Sequence, residues 1–261
     1  MNARSLHVQD VGAGRPVVLV AGFGLSHPVW DRQVRVLADA GYRAVCIDLP
    51  GTGGSPKPAD GYDVDTLAGD VANVLETMDL RDVTLVGWSF GGQVAFHLTA
   101  DCDRVRDLVL LTSNGVRASR SEAFPFGPPG DKLEAQLVAG EHADRLAARR
   151  ATLTSGFAAP PSDDVLDFLL RVQLEMPSWA AVASYHAYLQ TDLTDDLPKI
   201  TVPVLQIMGE RDPVMPLDGA AWLQERLADA RLVVLEGCGH YPMFEAPDEL
   251  DDALLSFLRR T

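Results

Sequence analysis

A serine set among glycines, Gly87-Trp88-Ser89-Phe90-Gly91-Gly92, is the feature of this chain best suited to covalent chemistry. It directly follows the apolar run VTLVGW and opens the helical pattern FGGQVAFHL. A G-x-S-x-G turn between a strand and a helix needs its glycines, because the backbone reverses sharply and neighbouring chain approaches where a Cβ would stand. The serine then projects above the end of the strand, and the amide of Phe90 is left free at the helix N-terminus. A serine in a glycine-rich turn is, by itself, more often structural than catalytic. The strand before it and the helix after it favour a nucleophile.

A serine hydroxyl needs a base, and the base needs an orienting acid. Both types occur downstream, each just after a predicted strand. Gly209-Glu210-Arg211-Asp212-Pro213 follows VLQIM, and Gly237-Cys238-Gly239-His240-Tyr241-Pro242 follows LVVL. His240 is the candidate base. Glu210 competes with Asp212 as the acid; Pro213 fixes the turn after Asp212 and favours it. Another acid position, after the run LVLLT, reads Ser113-Asn114-Gly115 and offers no carboxylate.

The elements that must position these residues are legible as an alternation. Pro16–Ala21, Arg43–Leu49, Val83–Trp88, Leu108–Thr112, Val204–Met208 and Leu232–Leu235 read as strands, nearly continuous in apolar residues, as in a parallel sheet covered on both faces. Trp30–Ala40, Val64–Asp79, Phe90–Ala100, Leu217–Ala228 and Asp248–Arg260 carry apolar residues at helical spacing. The predicted class is α/β, a mainly parallel sheet flanked by helices. Residues 117–197 break the rhythm with a Pro/Gly-rich start (FPFGPPG) and helical patterns over Val138–Leu153, Asp164–Leu174 and Trp179–Leu189. About 80 residues is too long for a plain loop, so a helical cap over the carboxyl ends of the strands is expected. The expected division is a core of residues 1–116 and 198–261 and a cap of residues 117–197.

On these motifs the chain resembles the α/β-hydrolases over almost its whole length outside the cap. The order Ser, Asp, His is theirs rather than that of the chymotrypsin or subtilisin types. Asp48-Leu49-Pro50-Gly51-Thr52-Gly53-Gly54-Ser55 resembles the family's D-x-x-G-x-G-x-S loop, and Asp196–Leu205 its D-L-x-x-I-x-x-P-x-L approach to the strand before the acid. Haloperoxidase-type (perhydrolase) esterases and enol-lactonases are the branches it most resembles. The resemblance implies an oxyanion hole formed by the amides of Phe23 and Phe90. It departs from the family where Ala21-Gly22 replaces the usual His-Gly. His27 is a polar group that could stand near the pocket or simply on a surface loop.

Composition narrows the function further. The formal charge is −15, from 22 basic and 37 acidic residues, which repels phosphate backbones and anionic lipid heads, so no nucleic-acid or membrane role is expected. No apolar run approaches the roughly 20 residues of a membrane span, and the start MNARSLHVQD lacks the pattern of a secretory signal, so a cytoplasmic location is expected. Cys46, Cys102 and Cys238 are too few and scattered for a disulfide framework; Cys238 is notable only for its closeness to His240. The remaining histidines, His7, His97, His142 and His186, show no ligand spacing, so no metal and no cofactor are expected. Gly22–His27 fails the dinucleotide fingerprint at its third small position, and Gly51–Lys57 lacks phosphate-loop spacing. Tyr185 and Tyr188 resemble the paired tyrosines of epoxide hydrolases, but that chemistry needs an Asp where this chain has Ser89.

The expected activity is a serine hydrolase acting on a small, fairly apolar carboxylic ester or lactone, with a peracid-forming side activity within reach. The rivals are a C–C bond hydrolase using the same three residues, and a lyase, cyclase or ligand receptor on the same fold. The expected partner is a small-molecule substrate, and homo-oligomers are permitted.

Overall fold

The computed structural model describes residues 4–260; Met1–Ala3 and Thr261, at the outer ends of the expected core segments, lie outside them. Among the described residues seven strands form one sheet: β1 (Val8–Gly12), β2 (Pro16–Val20), β3 (Arg43–Ile47), β4 (Val83–Trp88), β5 (Val105–Leu111), β6 (Val204–Gly209) and β7 (Ala230–Leu235). Their order is β1-β3-β2-β4-β5-β6-β7. Only the β1–β3 pair is antiparallel.

Alternation along the strands builds two cores. Val18 and Val20 of β2 point to one face with Leu85 of β4 and Leu108 and Leu110 of β5. Val17 and Leu19 point to the other face with Val86, Trp88, Val109 and Leu111. Both faces are apolar because helices cover both. On the first lie α2 (Val64–Thr77), α3 (Phe90–Asp101) and α8 (Leu217–Gln224); on the second lie α1 (Asp31–Asp39) and α10 (Pro247–Leu258).

Between β5 and β6 run four helices and no strand: α4 (Gly130–Ala143), α5 (Arg145–Ser155), α6 (Asp163–Gln173) and α7 (Ser178–Gln190). The expected single helix over Val138–Leu153 is in fact two. Asp144 leaves helical geometry (φ −154, ψ 88) and its carboxylate accepts a hydrogen bond from the Ala147 amide, capping a new helix. A strand and a short helix escaped the sequence reading, as did the 3-10 turns His27–Trp30 and Thr194–Lys199. Strand β1 is a largely exposed edge whose sequence VQDVG carries little apolar signal, and α9 (Pro242–Glu245) is a single turn after His240. No helix among the described residues is long and apolar enough to cross a membrane.

Candidate active site

The turns that carry the predicted residues all leave the carboxyl ends of parallel strands, where α/β sheets place ligands. Ser89 follows β4, Asp212 follows β6 and His240 follows β7. Ser89 holds the left-handed backbone φ of +54° at the N-cap of α3. Such a φ is strained for a residue with a side chain, and the surroundings hold it there. The Ser89 amide donates to the Leu111 carbonyl at 3.0 Å, and the Ser89 carbonyl accepts from the Gly92 amide (2.9 Å) and the Ser113 hydroxyl (2.8 Å). Space is the second constraint: a Cβ on Gly91 would lie 2.5 Å from the Ala21 carbonyl oxygen.

A serine at an N-cap ordinarily turns its hydroxyl onto its own helix. Ser89 makes no such bond, and its Oγ stands 2.9 Å from Nε2 of His240. On the other side of the ring, Nδ1 of His240 lies 2.8 Å from Oδ2 of Asp212. The second oxygen of Asp212 accepts the amides of Val214 (2.8 Å) and Met215 (3.0 Å), which fixes the carboxylate in its turn. The Asp212 side chain is fully buried and that of His240 nearly so. Glu210 points elsewhere and accepts the Gly237 amide at 2.9 Å. The structure therefore brings Ser89, His240 and Asp212 together and leaves Glu210 outside.

The loop after β2 closes over the same point. A Cβ on Gly22 would meet the Cβ of Ser89 at 3.1 Å, so the Gly22–Gly24 turn passes directly beside the serine. Among the described residues, neither the Phe23 nor the Phe90 amide donates to an acceptor in the turns and loops of the chain. His27 lies outside the cavity wall: its Nδ1 meets the Asp48 carboxylate at 3.0 Å, and its backbone amide donates to the same group at 2.7 Å. Asp48 also accepts the Gly54 amide, so the D-x-x-G-x-G-x-S loop is a brace for the turn carrying His27.

Three of the four histidines that show no ligand spacing in sequence, His7, His97 and His186, have carboxylate neighbours in space. The donor atoms of His7, His27 and Asp48 lie within 4.8 Å of one another. The two rings are stacked at 4.8 Å with planes 11° apart. Nearly parallel, separated planes do not converge on one ion, and the carboxylate is already occupied by N–H groups. His97 meets both Asp65 (3.0 Å) and Asp196 (2.6 Å), and His186 meets Glu134 (3.0 Å). All these contacts join residues far apart in sequence, so spacing could not reveal them.

Above Ser89 lies a cavity of about 740 Å³, walled below by Phe23, Trp88 and His240 and above by residues of α4 to α7, including Leu137, Thr152, Gln173, Tyr185 and Tyr188. Among the described residues, no lysine or arginine lines it. Burial pushes the Tyr185 phenol up to about 12, and burial with the Asp212 charge pushes those of Tyr188 and Tyr241 higher still, so all three remain neutral hydroxyls. Burial likewise pushes the Cys238 thiol up to about 12, away from reactivity. The sequence reading missed Gln173 and Tyr241 as lining residues. Gln173 is the last residue of α6 and carries no local signal; Tyr241 was visible beside His240 but its direction was not.

Residues 17–253 match the alpha/beta hydrolase family. The chain belongs to that family. This alpha/beta hydrolase is 35% identical over 263 residues to a non-heme chloroperoxidase of Streptomyces lividans, covering 94% of this chain and 92% of that one. It is 31% identical over 254 residues to a pimeloyl-[acyl-carrier protein] methyl ester esterase of Nitrosomonas europaea, covering 94% and 96%. An esterase from Exiguobacterium antarcticum superimposes with a TM-score of 0.94 at 29% identity, covering 97% of this chain and 95% of that one.

Proposed function

We propose that this alpha/beta hydrolase cleaves a small, uncharged carboxylic ester or lactone through an acyl-enzyme on Ser89, with residues 117–197 acting as a cap over residues 1–116 and 198–261. The observation that carries the reading is the line Ser89 Oγ, His240, Asp212, with contacts of 2.9 and 2.8 Å at the floor of a mostly apolar cavity. His240 Nε2 takes the hydroxyl proton as Oγ attacks the carbonyl carbon. The amides of Phe23 and Phe90 hold the tetrahedral oxyanion; one such donor is worth about 2.7–4 kcal/mol of transition-state stabilisation. His240 then gives its proton to the departing alkoxide. Water attacks the acyl-serine with its proton passing to His240, and the same proton returns to Ser89 as the acid leaves. Asp212 holds the imidazole in the required tautomer and stabilises its charged form. Hydrogen peroxide in place of water at the second attack converts the acyl group to a peracid, the side activity the resemblance implies.

The test is hydrolysis of a short-chain p-nitrophenyl ester by wild type and Ser89→Ala. Turnover lost in a folded Ser89→Ala protein is the expected result. Equal turnover by both proteins removes Ser89 from the reaction.

A further inference from the structure

One buried ion pair in the helical segment fastens the elements that carry two of the segment's contacts with Phe23, from Gln173 and from Tyr185. Arg149 of α5 and Glu141 of α4 have fully buried side chains and meet through two hydrogen bonds, at 3.0 and 2.7 Å. Nη1 of Arg149 donates to the main-chain carbonyls of Gln173, where α6 ends, and of Met176. Oε1 of Glu141 also accepts the hydroxyl of Ser178, the first residue of α7, at 2.8 Å. The end of α6 and the start of α7 are thus fastened to a single point.

From these two fastened ends come the groups that meet Phe23. The Gln173 amide reaches the Phe23 carbonyl at 3.5 Å, a long hydrogen bond, and its Cγ packs so closely on Gly24 that a Cβ there would lie 2.8 Å away. Two turns along α7, the ring of Tyr185 stacks on the ring of Phe23 with centroids 4.3 Å apart and planes 13° apart. Phe23 is held by its carbonyl and by its ring, it lines the cavity beside Ser89, and its amide has no acceptor in the turns and loops of the described residues.

A buried ion pair contributes little net stability compared with apolar residues of the same size, since desolvation offsets the attraction. What it adds is direction: each donor and acceptor fixes its partner in position. We propose that Glu141 and Arg149 are positioning residues that set the Phe23 amide for the oxyanion, acting through Gln173 and Tyr185. This rests on the reading of Phe23 as an oxyanion donor.

The experiment compares wild type, the paired replacement Glu141→Met/Arg149→Met, and Gln173→Met, with kcat and KM for a p-nitrophenyl ester and inhibition by a boronic acid that forms a tetrahedral adduct with serine. The paired replacement removes both members of the buried pair together, while Arg145, which also meets Glu141, keeps its bonds to the Leu174 and Met176 carbonyls; Gln173→Met keeps the side-chain volume and both charges, and is the second variant should the pair fail to fold. The expected result is kcat lower by about ten- to hundredfold, part of the loss from deleting an oxyanion donor outright. KM stays within about twofold on the same principle that transition-state contacts act on kcat, and the boronic acid binds more weakly in parallel. Tyr185→Leu should lose kcat in the same way, and Tyr185→Phe, which keeps the ring, should recover most of it. Unchanged kcat in a folded variant, or a loss confined to KM and melting temperature, overturns the proposal. If Ser89→Ala abolishes turnover while these variants do not alter kcat, the positioning role alone is wrong. If Ser89→Ala leaves turnover intact, the acyl-enzyme reading falls and this proposal with it.

Discussion

The indole N–H of Trp88 donates to the main-chain carbonyl of His240 at 3.0 Å. Trp88 immediately precedes Ser89, so this one bond ties the Ser89 turn to the His240 loop across the sheet. The same carbonyl accepts the Thr112 hydroxyl at 3.2 Å, and the His240 amide donates to Gly156 at 2.8 Å. His240 is therefore positioned by its backbone as well as by Asp212. Trp88→Phe keeps an aromatic ring among Trp30 and Tyr241 but deletes the N–H. The expected loss is about 1 kcal/mol of stability for the hydrogen bond, read by urea unfolding, with a several-fold fall in kcat. A variant with full kcat shows that Thr112 and Gly156 suffice to hold the loop.

The two carboxylates near the end of β6 are separable by a pair of isosteric changes. Asp212→Asn should lower kcat on the order of 10⁴-fold, because the amide favours the wrong tautomer of His240. Glu210→Gln should change kcat little, since its carboxylate bonds the Gly237 amide and not the imidazole. Steady-state kinetics on both proteins checks this, and a larger effect at Glu210 reverses the assignment.

How much of this was legible in the residues follows from what kind of signal each part carries. The strands around Ser89, Asp212 and His240 are apolar on both faces, so their existence was plain from composition alone, and each candidate residue stood at a strand end. Edge strand β1, with three of its five residues exposed, has no such signal. The break at Asp144 was hidden because helical periodicity continues across it; the cap geometry that ends one helix and starts another depends on a single side chain. Gln173 and the Glu141–Arg149 pair were invisible for a different reason. Their meaning lies in how four helices dock, and a polar residue on a helix looks the same in sequence whether it faces water or a neighbour.

The pH dependence should be one-sided. With His240 as the proposed base, it must be uncharged to accept the Ser89 proton, so kcat/KM should fall as the medium is made acid. On the alkaline side the neighbouring phenols do not interfere: burial raises Tyr185 to about 12 and Tyr188 and Tyr241 further, so the neutral form persists through the working range. A profile that rises from acid and then stays level to about pH 9 is expected on these shifts. An activity loss between neutrality and pH 9 with the fold intact shows that a group other than these phenols titrates in the site.

Charge on the substrate should matter more than its length. Tyr185, Tyr188, Tyr241, Gln136, Gln173, Thr152, Ser155 and Ser89 supply neutral polar groups of the cavity, and among the described residues its one carboxylate, Asp212, is negative. Arg145 and Arg149, close by in sequence to the lining residues Ala151 and Thr152, are committed to Glu141 and to helix-end carbonyls. A carboxylate carried into this site loses water without gaining a cation, at a cost of several kcal/mol. The methyl diester of a short dicarboxylic acid should therefore be cleaved with kcat/KM at least about a hundredfold above that of its half-ester, a ratio equal to about 2.7 kcal/mol. Leu137→Arg, which places a cation in the wall, should narrow the gap by improving the half-ester. Comparable rates for the diester and half-ester in the wild type mean that the tyrosine hydroxyls and glutamine amides hold an anion unaided, and the substrate class must then include acids.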